Sequence, residues 1–319
     1  MAEVKVARVP VLGRHDNVHQ KRTQPCVFTG RLRRPPSCDD LQRHREQAWL
    51  WSYETVVARA PWWLTASGMR ASSARGRGGE SSSVPRVVTF IHISTRLGNE
   101  TRGKTIARHS LLWRQKNPGI AVQHIRAREG EALLRTHYNE FYSCYDSLQT
   151  GVERSDFLRY LAIHHYGGVY ADEDVVPIWP VERWATQFGW RQRLDNLLIV
   201  GMEDTRPLRL CQFVFASAPR HPLLWAMALE VRSRVNRLAS SHRFSVLERT
   251  GPVAWTAAIV QFVARHAPAG ERNLSSVDER TGRLIHLNVD GRWWKLLVLP
   301  YRAFGFNRAH DVYLQKEPR

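Results

Sequence analysis

Asp172, Glu173 and Asp174 are three consecutive carboxylates inside an otherwise apolar run, residues 169–178. If that run is one extended strand, alternate side chains share a face, so Asp172 and Asp174 point one way and Glu173 the other. Two carboxylates converging at the end of a buried strand repel each other, and they are costly to desolvate unless a cation lies between them. A hard divalent ion, Mn2+ or Mg2+, suits such oxygen ligands and keeps positions open for a diphosphate. A solvated acidic turn would carry the same tripeptide.

The flanking residues supply the elements that must position these groups. Phe157, Leu158, Leu161 and Ala162 follow helical spacing, and Ser155 or Asp156 is suited to cap the first turn. Gly167 and Gly168 then let the chain leave that helix, because glycine takes positive φ without a Cβ clash. Earlier, 87–93 reads as a buried strand, with His92 expected to be a packed core histidine rather than a ligand. Residues 105–117 read as a helix stopped by Pro118-Gly119, and 121–125 as a second strand. Pro180 to Trp184 opens another helix, and 197–202 is a strand ending in Glu203-Asp204. This alternation predicts a mostly parallel, Rossmann-like sheet with helices on both faces. Ligands gather outside the carboxyl ends of such strands, which makes Glu203 a candidate contact; a capping or loop role fits it equally.

Taken in order, Ser155-Asp156-Phe157-Leu158-Arg159-Tyr160, the apolar helix, Tyr166-Gly167-Gly168-Val169-Tyr170 and Asp172-Glu173-Asp174 resemble the signature of glycosyltransferase family 32, the DXD-containing sugar transferases. Trp113, Asn117, Pro118 and Gly119 keep the places of the family's Trp-x-x-x-Asn-Pro-Gly-Tyr. Pro180 to Trp184, the strand before Glu203, and Leu297-Val298-Leu299-Pro300 also resemble its motifs. Leu210-Cys211-Gln212-Phe213 and the stretch from Ala216 to Leu223 are similar to the fungal initiation-specific alpha-1,6-mannosyltransferase subgroup. The likeness spans roughly residues 86–314. Two departures are visible. Thr250-Gly251-Pro252-Val253 has valine where the family has glycine, with Ala257 in place of an aspartate, and the closing His-His-x-x-Gly-Ser-Trp is not found up to Arg319.

The resemblance implies a single GT-A-like α/β domain over residues 86–319, without its closing motif. It implies metal-dependent, configuration-retaining transfer of mannose from GDP-mannose to a mannose hydroxyl of an N-glycan. By the same resemblance Asp174 binds Mn2+ (or Mg2+) directly, and Asp172 binds the metal, its water or the donor ribose. Asp156 and Arg159 grip the nucleotide-sugar, with Gly167, Gly168 and a base-stacking Tyr170 beside it. Glu203, Asp204, Gly251 and Pro252 face the acceptor. Two bland roles stay open: Asp156 as a helix cap and Arg159 as a partner for a carboxylate. Members of the family sit in the Golgi, so a Golgi lumen or membrane location is expected, with the cytoplasm as alternative. The missing closing motif gives a second reading, a catalytically impaired member.

Composition bounds the rest. Lys and Arg number 47 against 29 Asp and Glu, a net charge of +18 that would suit a nucleic-acid partner. The excess is diffuse, +7 in residues 1–85 and +11 beyond, and no nucleic-acid motif accompanies it, so no nucleic acid is expected and a basic binding protein ranks last. Residues 1–85 mix Arg, Pro, Ser and Gly and read as a disordered extension with one marginal helix near 41–58 and a Trp-rich patch at Trp49, Trp51, Trp62 and Trp63. The most apolar window, 48–66, contains Glu54 and Arg59 and is too polar for an unaided membrane span. Cys144 and Cys211 could pair in a secretory lumen or stay buried thiols.

Overall fold

Apolar runs become strands and amphipathic runs become helices, much as the spacing predicts. The structure, a computed structural model, describes residues 83–93, 100–191, 195–205, 208–238, 245–274, 277–278, 280–304 and 314–316, all within the compact unit His44–Arg319. The expected extension up to residue 82, its helix, the Trp-rich patch and residues 305–313 lie outside the described residues. The strands are β1 (Val87–His92), β2 (Ala121–Arg126), β3 (Gly168–Ala171), β4 (Val175–Pro177), β5 (Leu197–Thr205), β6 (Leu208–Ser217), β7 (Arg283–Val289), β8 (Arg292–Leu299) and β9 (Leu314–Lys316). Seven of them form one sheet in the order β2-β1-β3-β6-β5-β8-β7, and β4 pairs with β9 apart from it.

β1 lies parallel to β2 and β3, and β5 parallel to β8, while β6 and β7 run against their neighbours. Five of the seven strands therefore point one way, and the expected parallel sheet is present with two reversed strands. The reversals have a local cause. β6 follows β5 and β8 follows β7 after only a few residues, too short a link for a parallel crossover.

The helices are α1 (Glu100–Lys116), α2 (Ala127–His137), α3 (Asn139–Ser147), α4 (Gly151–Tyr166), α5 (Arg183–Thr186), α6 (Pro222–Leu238), α7 (Val246–Arg249), α8 (Pro252–His266) and α9 (Tyr301–Phe304). They bury both sheet faces. One apolar layer joins Leu134, Phe141, Phe157, Leu224 and Phe262, from α2, α3, α4, α6 and α8, to Leu198, Val200 and Phe215. The other joins Trp113 of α1, Trp184 of α5 and Phe304 of α9 to Val88, Val169 and Ile199. Strand residues alternate between the layers, which fixes the register, because a slip of one residue would turn each apolar face outward. Cys144 and Cys211 are both buried, and the Cys211 thiol faces Phe304 O at 3.9 Å. Among the described residues, no helix is long and apolar enough to cross a membrane.

Two buried histidines make this core acid-sensitive. His221 is fully buried; its Nε2 faces Lys295 O at 3.2 Å, and its Nδ1 accepts from Leu223 N–H at 3.3 Å, just inside the start of α6. The ring is therefore neutral, and burial pulls its pKa down to about 3; burial first, then nearby Arg220, does the same to His164. The unfolded rings titrate near 6.5. Between those values the unfolded chain takes up protons that the folded chain refuses. The stability is whole above about pH 6.5 and is lost progressively as pH falls toward 3, by about 2–3 kcal/mol per ring at pH 4.5. His221→Asn, which retains a capping acceptor, is expected to show a smaller drop in melting temperature between pH 7 and 4.5 than wild type. An equal drop would show that His221 is not a source of the acid sensitivity.

Candidate active site

The acidic triplet is not part of one extended strand. β3 ends at Ala171, the Asp172 amide still donates to Phe213 O of β6 (2.8 Å), and Val175 N–H then bonds back to Asp172 O (3.0 Å), closing a four-residue turn. Beyond it β4 departs to pair with β9. The alternating-face expectation for Asp172 and Asp174 is corrected accordingly. Aspartate is disfavoured in strands and favoured in turns, and adjacent charges are better accommodated where the backbone meets solvent. All three carboxylates are half-buried, at the carboxyl edge of the sheet where β1 also ends.

Behind the turn lies a buried polar network. α4 starts earlier than expected: Thr150 caps it, accepting from Glu153 N–H at 3.2 Å while the Glu153 carboxylate accepts from Thr150 N–H at 3.0 Å, a capping box. Asp156 is thereby an interior helical residue, not a cap. Its Oδ1 lies 2.7 Å from Arg159 Nη2, and its Oδ2 accepts from Thr250 Oγ1 at 2.9 Å. Arg159 Nη2 is also 3.4 Å from Asp172 Oδ1, Arg159 Nη1 donates to Gln212 O (3.0 Å), and the guanidinium carbon stands 4.6 Å from the Tyr170 ring centroid. The Tyr170 hydroxyl donates to Asp172 Oδ1 at 2.5 Å. Tyr160, from α4, bonds Gln212 Oε1 and Thr250 O.

Four residues singled out in the sequence, Asp156, Arg159, Tyr170 and Asp172, thus meet in one place. Their depth changes their roles. Arg159 is 4 % exposed and Tyr170 1 %, so the ring lies against Arg159 and Phe215 rather than on an open surface for a base, and the guanidinium serves carboxylates, the bland alternative named for it. Burial alone would lower the Arg159 pKa; Tyr170, Asp172 and Asp156 around it reverse the direction, so the charge is held firmly. Burial raises the Asp156 carboxyl above its ordinary range, opposed by Arg159 and by the Thr250 hydrogen bond.

The other side of the turn is held by β1 and α1. His92 Nδ1 lies 2.7 Å from Glu173 Oε1, and His92 Nε2 is 2.8 Å from His124 Nδ1. His92 is therefore a partner of the acidic turn rather than a packed core residue. His109 Nδ1 hydrogen-bonds Glu173 O, and Trp113 Nε1 donates to Val175 O at 3.0 Å.

The remaining candidates fall elsewhere. Gly167 and Gly168 are buried at the amino end of β3, about 13 Å of strand from Asp172. Both take positive φ, and a Cβ there would stand 2.8 Å from Pro219 Cδ and 2.4 Å from Val87 Cγ1 respectively. Close packing of the helix-to-strand return explains this pair better than donor contact does. Glu203 and Asp204 pair with Arg209 across the β5–β6 hairpin, at 3.8 and 3.2 Å. Gly251 is the residue before α8, whose first turn begins with Pro252, and it follows Thr250 of the buried network.

The donor set of the turn suits a hard cation: aspartate oxygens from Asp172 and Asp174, with Asp174 Oδ1 buried. Among the described residues no three His, Cys, Asp or Glu side chains form a metal cage, so a cation here would complete its shell with phosphate and water. Asp172 Oδ1 is already in contact with Tyr170 and Arg159.

Residues 107–189 match the family described as "Glycosyltransferase sugar-binding region containing DXD motif". The initiation-specific alpha-1,6-mannosyltransferase of Schizosaccharomyces pombe is 26% identical over 229 residues, 65% of this chain and 55% of that protein. Inositol phosphoceramide mannosyltransferase 2 of the same yeast is 35% identical over 92 residues, 28% of this chain and 23% of that protein. A solved structure, the PaToxG glycosyltransferase, superposes with a TM-score of 0.44 at 15% identity, covering 70% of this chain and 80% of that one. The chain spans about half the length of the first curated relatives it matches.

Proposed function

We propose that this chain, which belongs to the DXD-containing sugar transferases of glycosyltransferase family 32, transfers mannose from GDP-mannose to a mannose hydroxyl of a glycan with retention of configuration. The observation that carries the reading is the acidic turn at the carboxyl edge of the sheet, with Asp172 tied to the Asp156–Arg159 pair and Asp174 beyond it. Asp174 would hold Mn2+ or Mg2+ directly, and Asp172 would take the cation, its water or the donor ribose. A bound cation neutralises charge gathering on the departing diphosphate, which is electrostatic catalysis and requires no protein base. Asp156 and Arg159 act from below by fixing Asp172, a change from the direct donor grip expected of them. Gly251, Pro252, Glu203 and Asp204 remain acceptor-side proposals, and the Golgi remains the proposed compartment.

The test is release of GDP from GDP-mannose by the full chain with Mn2+, offered a mannose-terminated glycan and, separately, an inositol phosphate lipid such as the second relative's name suggests. Transfer to the glycan, abolished by a chelator, is the expected result. Transfer only to the lipid would replace the acceptor. Binding of GDP and Mn2+ without turnover would mark an impaired member, and salt-sensitive DNA or RNA binding that survives Asp172→Ala would replace the whole reading.

A further inference from the structure

We infer that His92, His109 and Trp113 are positioning residues for Asp174, and that Glu173 is the handle through which the two histidines act. The inference rests on Asp174 being the cation ligand proposed above.

α1 supplies half of the clamp. His109 and Trp113 are four residues apart and so share a helix face, from which they reach the carbonyls of Glu173 and Val175. These two carbonyls belong to the residues on either side of Asp174. The Val175 N–H to Asp172 O bond closes the same turn from within. β1 supplies the other half by drawing the Glu173 carboxylate onto His92 at 2.7 Å.

Proton counting fixes the arrangement. A carbonyl only accepts, so His109 carries its proton on Nδ1, and the ionised Glu173 requires the same of His92. His92 Nε2 is then an acceptor for His124 Nδ1–H, and His124 Nε2 lies 3.2 Å from Ser110 Oγ, which returns the chain to α1 beside His109. The Ser110 hydroxyl itself donates to Ile106 O at 2.8 Å. Burial first, then the adjacent His92 ring, hold His124 below its usual pKa.

The purpose follows from the charge pattern. A third carboxylate left loose between Asp172 and Asp174 would repel both or compete for the cation. Held by His92, Glu173 is kept to one side of the turn while Tyr170 and Arg159 hold Asp172 on the other. Partners outside a metal's own ligands typically contribute 10–100-fold to its affinity by such orientation.

The experiment is calorimetric titration of the full chain with Mn2+ in the presence of GDP, alongside hydrogen exchange of the Val175 amide. Glu173→Ala and His92→Ala are each expected to weaken Mn2+ binding by roughly 10–100-fold, while Glu173→Gln, which keeps an acceptor for His92, stays within about threefold of wild type. Unchanged Mn2+ affinity in both alanine variants would overturn the inference even if their melting temperatures fell. If wild type binds no Mn2+, the cation reading itself fails and exchange decides the clamp. Faster Val175 exchange in both alanine variants then supports it, and wild-type exchange overturns it.

Discussion

Asp174→Ala is expected to lower mannose transfer by roughly 10²–10³-fold while moving the melting temperature little. The side chain is half-buried and belongs to neither apolar layer, so its loss opens no cavity in them. Its removal would delete the proposed cation ligand, and the neighbouring Glu173 is engaged by His92. The defect should appear in metal dependence. The variant should need much more Mn2+ for half-maximal rate, and its weakened binding of GDP should be seen only when Mn2+ is present. Equal rates in wild type and variant at limiting Mn2+ would remove the metal assignment.

Arg159→Ala should act on stability instead. It would leave Asp156, 2 % exposed, and Asp172 facing each other without the cation between them, and would strip Gln212 O of its donor. Breaking a buried ion pair by removing one partner costs about 3–5 kcal/mol, because the surviving charge stays desolvated. In a folded unit of this size that is a fall in melting temperature on the order of 10 °C. Arg159→Lys should recover only part of it, since an ammonium cannot span two carboxylates and a carbonyl with a planar fork. A loss below about 1 kcal/mol for the alanine variant, measured by thermal unfolding at neutral pH, would contradict the network described, because exposed pairs are worth no more than that.

Much of this was legible in the residues themselves. Spacing located β1, α1, β2 and β5. The family's order of motifs groups Asp156, Arg159, Tyr170 and Asp172, and the contacts among them bear that grouping out. What periodicity misjudged is equally physical. An apolar run interrupted by three charges reads as one strand by its spacing, although carboxylates prefer the turn that divides β3 from β4. Apolar spacing alone starts α4 too late, because Thr150 and Glu153, the capping pair, precede the apolar positions. Gln212, Thr250 and Tyr160 went without roles because their partners lie 52 to 94 residues away in the chain. A signal existed for them: all three stand in motifs that already matched the family, where a polar residue amid apolar neighbours marks a buried hydrogen bond. His109 carried no such mark.

The short ribbon of β4 and β9 has a practical consequence. Leu314 to Lys316 pair with Pro177 to Val175, so the last described strand splints the segment that leaves the acidic turn, with Val175 one residue from Asp174. Any version of this protein prepared for assay therefore needs Leu314 to Lys316, because cutting before them would remove that splint.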